Sequence, residues 1–430
     1  MNKLQTLKGF RDFLPSDAII RKRLIEKITQ VFEQFGYDPL ETPALEYAEV
    51  LMGKYGEDAD KLLYTFEDRG GRNIGLRYDQ TVPLARIAAQ YNEIPKPFKR
   101  YQIQPVWRAE NTQKGRYREF LQCDADIIGD TSPAMADAEI LALFWNIYNK
   151  IGFKDIKIVV NSRLVLKELI TQSMDESDIP QITFLSVVRS IDKMDKIGEE
   201  GVKTELLNKG IPEEQISKLF SLISEWSALN FENLSKAGDS QLTFSIETAI
   251  NNFNIPKEKI IFDPKLARGL DYYTGIIFEA VLDNTSGSLG GGGRYDNLIN
   301  QFVGKPLSAV GFAIGFDRTL EAAKELKLIS EETTVTRVLV AYKDNNDNVL
   351  PTALNITTAL RETGVNTELF LDPKKDLDKQ LKYANKKGIR FVLIIGEEEI
   401  KKNTIKLKDM KTGDQEEKDL QTILNLIKNL

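Results

Sequence analysis

The sequence predicts an α+β fold, in which an antiparallel sheet flanked by helices is interrupted by a helical insertion and followed by a C-terminal α/β domain. Three patterns lead to this prediction: two pairs of extended runs typical of hairpins, a central block rich in helix formers, and a final alternation of strands and helices. The chain has 430 residues, which is enough for about three folding units with sizeable cores.

The composition is that of an ordinary globular protein, and it excludes several kinds of active site. Apolar residues make up 42 % of the chain and charged residues 28 %, close to the averages for soluble domains. Histidine is absent and Cys123 is the one cysteine. The sequence therefore excludes His-dependent hydrolases, His-ligated metals, Cys-based zinc clusters and intramolecular disulfides. The net charge of −6 gives no overall basic signature for nucleic acid.

The sequence contains neither a membrane-span pattern nor a secretory signal. No stretch approaches the roughly 18 consecutive apolar residues of a spanning helix. Near the N-terminus, Lys3, Lys8, Arg11 and Asp12 interrupt the apolar run that a signal peptide would need. We therefore expect a cytoplasmic protein with no membrane partner.

The first expected element is a long amphipathic helix. It should run from the capping residues Ser16 and Asp17 to Gly36, because apolar residues recur between them at helical spacing. The segment 37–45 contains two prolines and is expected to be extended. Extended runs separated by turn-forming residues then predict two hairpins. Their expected strands are 63–66, 73–77, 100–109 and 119–128.

Helix and strand patterns continue to residue 326 around the insertion. Residues 164–234 are rich in helix formers and carry few strand signals, so we predict that they form the helical insertion. The other elements expected here are a helix at 134–151, strands at 156–161, 276–281 and 307–315, and a helix at 316–326.

The chain beyond residue 334 has a different pattern. Residues 329–334 are polar and mark a boundary, and the alternation of strand and helix after it predicts a separate α/β domain. The elements expected in this domain are strands at 338–341, 365–371 and 391–395 and helices at 350–363 and 377–388.

A basic loop is the first candidate for chemistry. Residues 96–118 hold seven Lys and Arg side chains against a single acid, Glu110. A solvated basic loop is one explanation of this charge run. The other is an anion site, because Arg108 lies at the end of an expected strand, where a guanidinium is readily presented to phosphate.

Three further segments carry candidate binding residues. Arg268 is followed by Gly269 and Gly275, which let the backbone approach a ligand, and Tyr272 and Tyr273 could wall a pocket beside it. The run 290–293 is all glycine but lacks the ending of a phosphate-binding P-loop, so it favours close approach of the backbone to a flat ligand. Arg318 lies in the first turn of an expected helix, directly after a strand.

Taken together and in this order, these segments resemble motif 2, the histidyl-specific motif and motif 3 of class II aminoacyl-tRNA synthetases. The strings 114–120, 266–275 and 291–296 are similar to those of the histidyl-tRNA synthetase family. Motif 1 is matched by the first helix and the strand containing Pro43. The resemblance extends over essentially the whole chain, including the opening segment 8–12 and the tail.

The resemblance implies both an activity and a domain plan. The family activates histidine with ATP, forming histidyl-adenylate and pyrophosphate, and then esterifies the terminal adenosine of its tRNA. It therefore implies L-histidine, ATP and tRNA(His) as substrates, Mg²⁺ with the phosphates, and a homodimer formed through motif 1. The implied domains are a catalytic domain in two parts, 1–163 and 256–328, a helical insertion, 164–255, and an anticodon-binding domain, 335–430.

The resemblance also implies roles for individual residues. Arg108 would clamp the α-phosphate and the histidine carboxylate, Arg318 would face the γ-phosphate, and Arg268 would stabilise the charge that develops during attack. The implied histidine-binding residues are Asp79, Gln80, Thr81, Arg108, Gln122, Asp126, Arg268, Tyr272 and Tyr273. The implied ATP-binding residues are Arg108, Glu110, Arg116, Tyr117, Phe120 and Arg318. Gln113 is expected near the acceptor end of the tRNA, and no protein ligand is assigned to the metal.

Two of these assignments have simpler alternatives. Asp79 follows a strand and could be an ordinary turn carboxylate. Asp126 lies in an alternating strand and could face solvent together with its neighbours at 124 and 128. Both residues stand where some members of the family have Glu, which shortens the reach of the acceptor but keeps it.

Two other functions share this fold. A regulatory subunit of ATP phosphoribosyltransferase would keep the fold and bind histidine, but it is expected to lack the motif arginines and the tail domain. A synthetase-like sensor of uncharged tRNA would usually be fused to a kinase. Because Arg108, Arg268, Arg318 and the tail are all present, the sequence favours a histidine–tRNA ligase over both.

Overall fold

The computed structural model describes residues 4–54, 60–112, 115–129, 131–174, 184–229, 234, 236–267, 272–283, 287–343 and 348–429. The chain divides into two compact units. One comprises Met1–Asp12 and Leu24–Ile329, and the other comprises Phe13–Arg23 and Ser330–Leu430.

The elements up to residue 329 are strands and helices in irregular alternation. The strands are β1 (Asp38–Pro39), β2 (Leu45–Tyr47), β3 (Thr65–Glu67), β4 (Asn73–Leu76), β5 (Phe98–Trp107), β6 (Glu119–Ile128), β7 (Ile156–Ser162), β8 (Ile260–Phe262), β9 (Ile276–Leu282), β10 (Gly290–Arg294) and β11 (Ala309–Gly315). The helices are α1 (Pro15–Gln34), α2 (Ala48–Leu51), α3 (Thr81–Gln90), α4 (Pro133–Ile151), α5 (Arg163–Ser173), α6 (Phe184–Ile191), α7 (Met194–Asn208), α8 (Glu213–Ser227), α9 (Ser240–Asn251), α10 (Asp296–Val303) and α11 (Phe316–Glu325).

Eight of the described strands form one large sheet, in the order β1-β5-β6-β11-β10-β9-β7-β8. The central pairs are antiparallel, which confirms the predicted sheet. The two edge pairs, β1 with β5 and β7 with β8, are parallel. Sequence patterns miss these edges because β1 has two residues and β8 has three. A smaller sheet has the order β2-β4-β3 and contains the first predicted hairpin.

Helices cover one face of the large sheet with apolar contacts. The ring of Phe32 in α1 stacks on Tyr101 of β5 with centroids 5.0 Å apart. The ring of Phe144 in α4 lies 5.2 Å from Phe278 of β9 and 4.7 Å from Phe312 of β11. Since successive side chains of a strand point to opposite faces, Arg100 and Gln102, on either side of Tyr101 in β5, are directed to the other face of the sheet.

The predicted insertion is helical in the described residues. Helices α5 to α9 all lie between β7 and β8 in the chain. The last of them, α9, packs against α4, and the Gln241 amide donates a hydrogen bond of 2.9 Å to Asp137.

The tail is an α/β unit, as the sequence predicts. Its strands are β12 (Val338–Tyr342), β13 (Thr367–Leu369), β14 (Phe391–Ile395), β15 (Ile405–Asp409) and β16 (Gln415–Lys418). Its helices are α12 (Val349–Glu362), α13 (Leu377–Lys387), α14 (Glu397–Lys401) and α15 (Leu420–Asn429).

The central strands of the tail sheet, β12 and β14, are buried on both faces. Its order is β13-β12-β14-β15-β16, with β12, β13 and β14 mutually parallel. Val338 and Val340 belong to the core that contains α12, whereas Leu339 and Ala341 belong to the core that contains Ala384 of α13. The antiparallel strands β15 and β16 are absent from the sequence predictions. β16 is wholly polar and gives no hydrophobic period, whereas β15 does alternate, with Ile405 and Leu407 buried.

Within the described residues, no helix has the length and apolar character that a bilayer crossing requires.

A buried ion-pair network joins α4, β10 and α10. The Arg294 guanidinium donates to Asp137 Oδ1 at 2.6 and 3.1 Å and to Asp296 Oδ1 at 3.0 Å. It also donates to the Ser308 hydroxyl at 2.6 Å and to the Pro133 carbonyl at 2.9 Å. Burial raises the pKa of Asp137, and Arg294 opposes that rise. Removal of the guanidinium would therefore leave a buried carboxyl without its cation.

We expect Arg294→Met to lower the free energy of unfolding by about 3–5 kcal/mol, because it breaks a buried pair by removing one partner. Urea unfolding followed by tryptophan fluorescence measures this, since Trp107, Trp145 and Trp226 all lie in the larger unit. The matched control is Lys157→Met, which removes an exposed partner of Asp283 and should cost less than about 1 kcal/mol. Equal losses in the two variants would contradict the prediction.

Candidate active site

Strand β6 carries a row of polar side chains on the face that α1 and α4 leave open. Gln122, Asp124 and Asp126 alternate along the strand, so they point to one side, and each is at most 6 % exposed. Asp126 is thus not the solvent-facing residue that its alternation also allowed, and that alternative is wrong. On β5 the residues opposite them are Gln104, Gln102 and Arg100.

The strand on the other side of β6 has almost no side chains at the matching positions. Gly311, Ala313 and Gly315 of β11 lie opposite Asp126, Asp124 and Gln122. A Cβ on Gly311 would lie 2.0 Å from the Asp126 carboxylate and 2.7 Å from the Ala125 carbonyl, well inside contact distance. Small residues on β11 therefore make the room that the polar row of β6 occupies.

The glycine run 290–293 has a similar packing role. A Cβ on Gly292 would lie 2.1 Å from the Gly311 carbonyl, and one on Gly293 would lie 2.5 Å from the Ile276 carbonyl. The run thus lets β10 approach β9 and β11 closely. Gly290, Gly291 and Gly292 also line a cavity above the sheet.

This cavity has a volume of about 470 Å³, within the range usual for small-molecule sites. Its two ends differ in charge. Asp79, Asp124 and Asp126 contribute carboxylates to one end. At the other end, Arg108, Arg116 and Arg318 contribute guanidinium groups beside the carboxylates of Glu110 and Asp317. Asp126 and Phe120 lie six residues apart on the ten-residue strand β6, which corresponds to about 20 Å along its axis.

One buried cation serves the acidic end. The Arg100 guanidinium is fully buried and lies 2.6 Å from Asp126 Oδ2, and the Tyr295 hydroxyl donates to the other oxygen of Asp126. Burial raises the pKa of Asp126, while Arg100 and Tyr295 act in the opposite direction. Burial raises the pKa of Asp124 much further, and the nearby Asp126 and Asp79 add to the rise.

The acidic end has a surplus of hydrogen-bond acceptors. Asp124 Oδ2 accepts from the Gln122 amide at 3.0 Å, but Asp124 Oδ1 and Gln122 Oε1 are buried and accept no hydrogen bond from the described residues. Buried acceptors of this kind require a donor from elsewhere. A cationic ligand that donates several hydrogen bonds would provide it.

Asp79 has a second task at the start of α3. Its Oδ1 accepts hydrogen bonds from the backbone N–H groups of Thr81 at 3.0 Å and Val82 at 3.1 Å. The carboxylate therefore caps the helix, as the turn interpretation expected, and also lines the cavity. The turn interpretation of Asp79 is confirmed by these hydrogen bonds, and its role in binding histidine stays a prediction.

Aromatic rings close the acidic end. The ring centroids of Tyr272 and Tyr273 are 4.9 Å apart, and those of Tyr272 and Tyr295 are 5.9 Å apart. Burial raises the pKa values of Tyr272 and Tyr295 far above their ordinary range. Both phenols therefore stay protonated near neutral pH and can donate or accept hydrogen bonds.

At the basic end, Arg108 is held between two rings. Its guanidinium lies 4.3 Å from the ring centre of Tyr78 and 5.1 Å from that of Phe120, and it donates to the Tyr78 carbonyl at 3.1 Å. This arrangement fixes the plane of the guanidinium before a ligand arrives. Arg318, on α11, donates to the Ser288 carbonyl at 3.2 Å.

The first part of the chain matches a protein-family model described as histidyl-tRNA synthetase, over residues 9–319. The tail matches a model described as an anticodon binding domain, over residues 337–430. The chain belongs to the histidyl-tRNA synthetase family. The family predicted from the sequence motifs is therefore confirmed.

Similar proteins extend over the full length of this family member. A histidine–tRNA ligase of Clostridium tetani is 37 % identical, with 99 % of this chain and 98 % of the relative covered. One of Phocaeicola vulgatus is 40 % identical, with 95 % of each covered. The crystal structure of histidyl-tRNA synthetase from Nostoc sp. PCC 7120 matches with a TM-score of 0.84 at 32 % identity, covering 100 % of both chains.

A further structural match shows the fold alone. It is described as an ATP phosphoribosyltransferase regulatory subunit/histidyl-tRNA synthetase from Bacillus halodurans C. It has a TM-score of 0.75 at 23 % identity and covers 92 % of this chain and 100 % of that one. Together with the Nostoc structure, it supports the predicted α+β class of the histidyl-tRNA synthetase fold.

The structure brings most of the predicted site residues of this synthetase-family chain to one cavity. Those that line it are Asp79, Thr81, Arg108, Glu110, Arg116, Tyr117, Phe120, Gln122, Asp126, Tyr272, Tyr273 and Arg318. Gln80 does not line it: its amide is fully buried and donates to the carbonyls of Gln104 at 2.9 Å and Gln122 at 3.1 Å. Arg268 and Gln113 lie outside the described residues.

Three residues near the acidic end were not predicted from the synthetase motifs. Asp124 shares a face with Gln122 and Asp126, so the strand period alone could have indicated it. Tyr295 contacts Asp126 across 169 residues of sequence, and Arg100 does so from the neighbouring strand. No local sequence pattern predicts the contact of Tyr295 or of Arg100 with Asp126, because each depends on the register of the sheet.

Gly311→Ala tests whether the room beside β6 is required. We expect a loss of about 1–3 kcal/mol in the free energy of unfolding, because the new methyl group meets the Ala125 carbonyl and a carboxylate held by Arg100. The control Ala313→Gly, one step along the same face, should lose no more than about 1 kcal/mol. Chemical denaturation compares the two, and a smaller loss for Gly311→Ala than for the control would refute the role of the glycine.

Proposed function

We propose that this cavity activates L-histidine with ATP and then transfers the histidyl group to the 3′ end of tRNA(His), releasing AMP and pyrophosphate. The predicted ligase activity is confirmed by full-length similarity to curated histidine–tRNA ligases. The chain is thus an aminoacyl-tRNA synthetase that uses ATP, histidine and tRNA. The observation that supports the cavity as the reaction site is its polarity, with acceptors at one end and guanidinium groups at the other.

The acidic end suits the amino acid. A histidine zwitterion presents an ammonium group and two ring nitrogens. Asp79, Thr81 and Gln122 would surround the ammonium group, and Asp126 with Tyr272 or Tyr273 would contact the imidazole. Because the acceptors here are buried, an amino acid that lacks matching donors would leave them unsatisfied, which is an effective basis for rejection.

The basic end suits the nucleotide. Arg108 would hold the α-phosphate and the histidine carboxylate together, and Arg318 would face the γ-phosphate. Phe120 and Tyr117 offer rings, and Glu110 and Arg116 lie on the adjoining loop with their charged groups 3.8 Å apart. The chain thus contributes positioning and electrostatic stabilisation.

The chemistry needs no general base in the activation step. The histidine carboxylate is already an anion and attacks the α-phosphorus in line, while the bond from that phosphorus to the β-bridging oxygen breaks and pyrophosphate leaves. Arg268 would stabilise the charge that develops at the phosphorus. A hydroxyl of the terminal ribose then attacks the carbonyl carbon of the adenylate, the bond from that carbon to the phosphate oxygen breaks, and AMP leaves. The phosphate group of the departing AMP can accept the hydroxyl proton. The absence of histidine side chains is therefore compatible with the reaction.

We propose that Mg²⁺ enters with ATP. The described residues contain no cluster of three or more carboxylates that could cage a cation. Mg²⁺ does not need such a cage, because it keeps several waters and binds through substrate phosphates and one or two carboxylates. Glu110, at the basic end of the cavity, is the carboxylate we assign to this role. Bound there, the ion would neutralise phosphate charge.

We assign the domains as the resemblance implied. The catalytic domain would comprise 1–163 and 256–328, the helical insertion 164–255, and the anticodon-binding domain 335–430. The match of the tail to an anticodon binding domain supports the last of these. Gln113 near the tRNA acceptor end, the homodimer and the cytoplasmic location remain predictions.

Pyrophosphate exchange into ATP, run with each amino acid separately, tests the activation step. We expect exchange with histidine alone, and a loss of at least about 100-fold in Arg268→Ala, because a group that stabilises transition-state charge is removed. Folded protein that binds histidine yet gives no exchange would contradict the ligase and favour the regulatory-subunit alternative. The matched control Arg361→Ala, in the tail domain, should exchange normally.

Asp124→Asn tests the residue that the motifs did not indicate. Ionised Asp124 would bind the ammonium group, so the variant should raise KM for histidine about 10- to 100-fold, the effect of losing a charged hydrogen-bond partner. Asp283→Asn makes the same chemical change at an exposed carboxylate and should leave KM unchanged. An unchanged KM in Asp124→Asn would refute the assignment.

The pH dependence has a definite sign. Burial raises the pKa of Asp124 and so favours its neutral form, whereas a bound ammonium group favours the anion. The ratio of KM in Asp124→Asn to KM in the wild type should therefore grow as pH rises through that pKa. Titration of the substrate imidazole cancels in the ratio. The charged or titratable groups around Asp124 are Arg100, Asp79, Asp126 and Tyr272.

A further inference from the structure

The segment before α1 packs against the N-terminal end of β6. The Gly9 carbonyl accepts hydrogen bonds from the backbone N–H groups of Arg118 at 3.0 Å and Glu119 at 3.4 Å. Gly9 has φ of +88°, and a Cβ there would lie 2.7 Å from Arg118 Cγ and 2.8 Å from Thr112 Cγ2. The segment therefore lies so close to the motif 2 loop, which joins β5 to β6, that glycine is required at position 9.

Two residues after Gly9, Arg11 contacts both sides of the basic end. Its guanidinium carbon lies 3.2 Å from the centre of the Tyr117 ring, and its Nη2 lies 3.0 Å from Asp317 Oδ1. Tyr117 belongs to the motif 2 loop and Asp317 to the first turn of α11, which are 200 positions apart in sequence. Both residues line the cavity.

The charge of Asp317 needs a counterion at this place. Its side chain is 8 % exposed and directly precedes Arg318, the residue assigned to the γ-phosphate. A carboxylate beside a bound triphosphate would repel it, and weak solvent screening at a buried position would preserve that repulsion. The Arg11 guanidinium offsets the negative charge of Asp317 and at the same time packs against the ring of Tyr117.

We propose that Arg11 is a positioning residue for the nucleotide: it fixes Tyr117 against the start of α11 and neutralises Asp317 beside the phosphates. The proposal rests on the proposed function of this cavity as an ATP site. The contacts of Arg11 with Tyr117 and Asp317 both lie at the basic end of the cavity, so we expect its effect to be confined to ATP.

The steady-state test is pyrophosphate exchange with Arg11→Ala. KM for ATP should rise about tenfold, while kcat and KM for histidine stay within about twofold, because the ring of Tyr117 and the carboxylate of Asp317 lie at the nucleotide end. Arg11→Lys keeps the charge but not the planar contact with the ring, and it should recover part of the loss. In an Asp317→Asn background, Arg11→Ala should raise KM for ATP less, since no buried charge is left to neutralise.

The matched control is Arg390→Ala in the tail domain. Arg390 also combines a ring contact, 4.7 Å to Phe391, with an ion pair, 3.2 Å to Asp409. It should leave both KM values unchanged. An unchanged KM for ATP in Arg11→Ala would overturn the proposal. So would a parallel rise of both KM values together with a lower melting temperature, which would mark a structural role alone.

Calorimetric titration with ATP separates this proposal from the proposed function. Weaker ATP binding by Arg11→Ala than by the wild type and Arg390→Ala would support the role of Arg11 even if the wild type gave no exchange. Equal ATP affinities in the three proteins would overturn it, whatever the exchange activity.

Discussion

Arg100 is the one fully buried guanidinium among the described residues that balances the carboxylates at the acidic end of the cavity, and the amino-acid site depends on that pairing. Isolated charges are costly inside a protein, so without Arg100 the clustering of Asp126 and its neighbours on this face of the sheet would be strongly unfavourable. Arg100 in turn contacts Gln102 at 3.4 Å, whose amide donates to the Thr42 hydroxyl at 2.9 Å. The polar row of β6 thus continues as a hydrogen-bonded layer across β5.

The pairing of Arg100 with Asp126 offsets only part of the acidity at this end of the cavity, and the proposed function uses that imbalance. Three carboxylates face the acidic end and Arg100 offsets part of their charge, so a ligand that brings positive charge and hydrogen-bond donors is favoured there. At the other end, guanidinium groups held by rings and carbonyls favour phosphate. Under the proposed function, the amino acid would bind at the acidic end and the nucleotide at the basic end, which would bring the carboxylate of the first toward the α-phosphate of the second.

Close packing of backbone on the other strands makes the site possible. Gly311 and Gly292 have no side chains, so β10, β11 and β6 can approach one another closely. Both glycines line the cavity, where side chains would otherwise take up space. At the basic end, the contact of Gly9 with Arg118 has the same character and brings Arg11 into place. Residues far apart in sequence therefore meet at both ends of the cavity. At each end the contact depends on a glycine, Gly311 or Gly9, where a methyl group would not fit.

The sequence by itself determined the family, the α+β class, the tail domain and twelve of the residues that line the cavity, because strand and helix periods and ordered motifs are local signals. It could not show which face of β6 is covered, since that depends on α1 and α4, and so Asp126 kept a solvent-facing alternative and Asp124 was missed. Strands β1, β8 and β16 were missed because they are too short or too polar to carry a hydrophobic period. Only the tertiary structure decided that Arg100, Tyr295 and Arg11 act on the site, because sheet register and chain packing, not spacing along the sequence, bring their side chains to it.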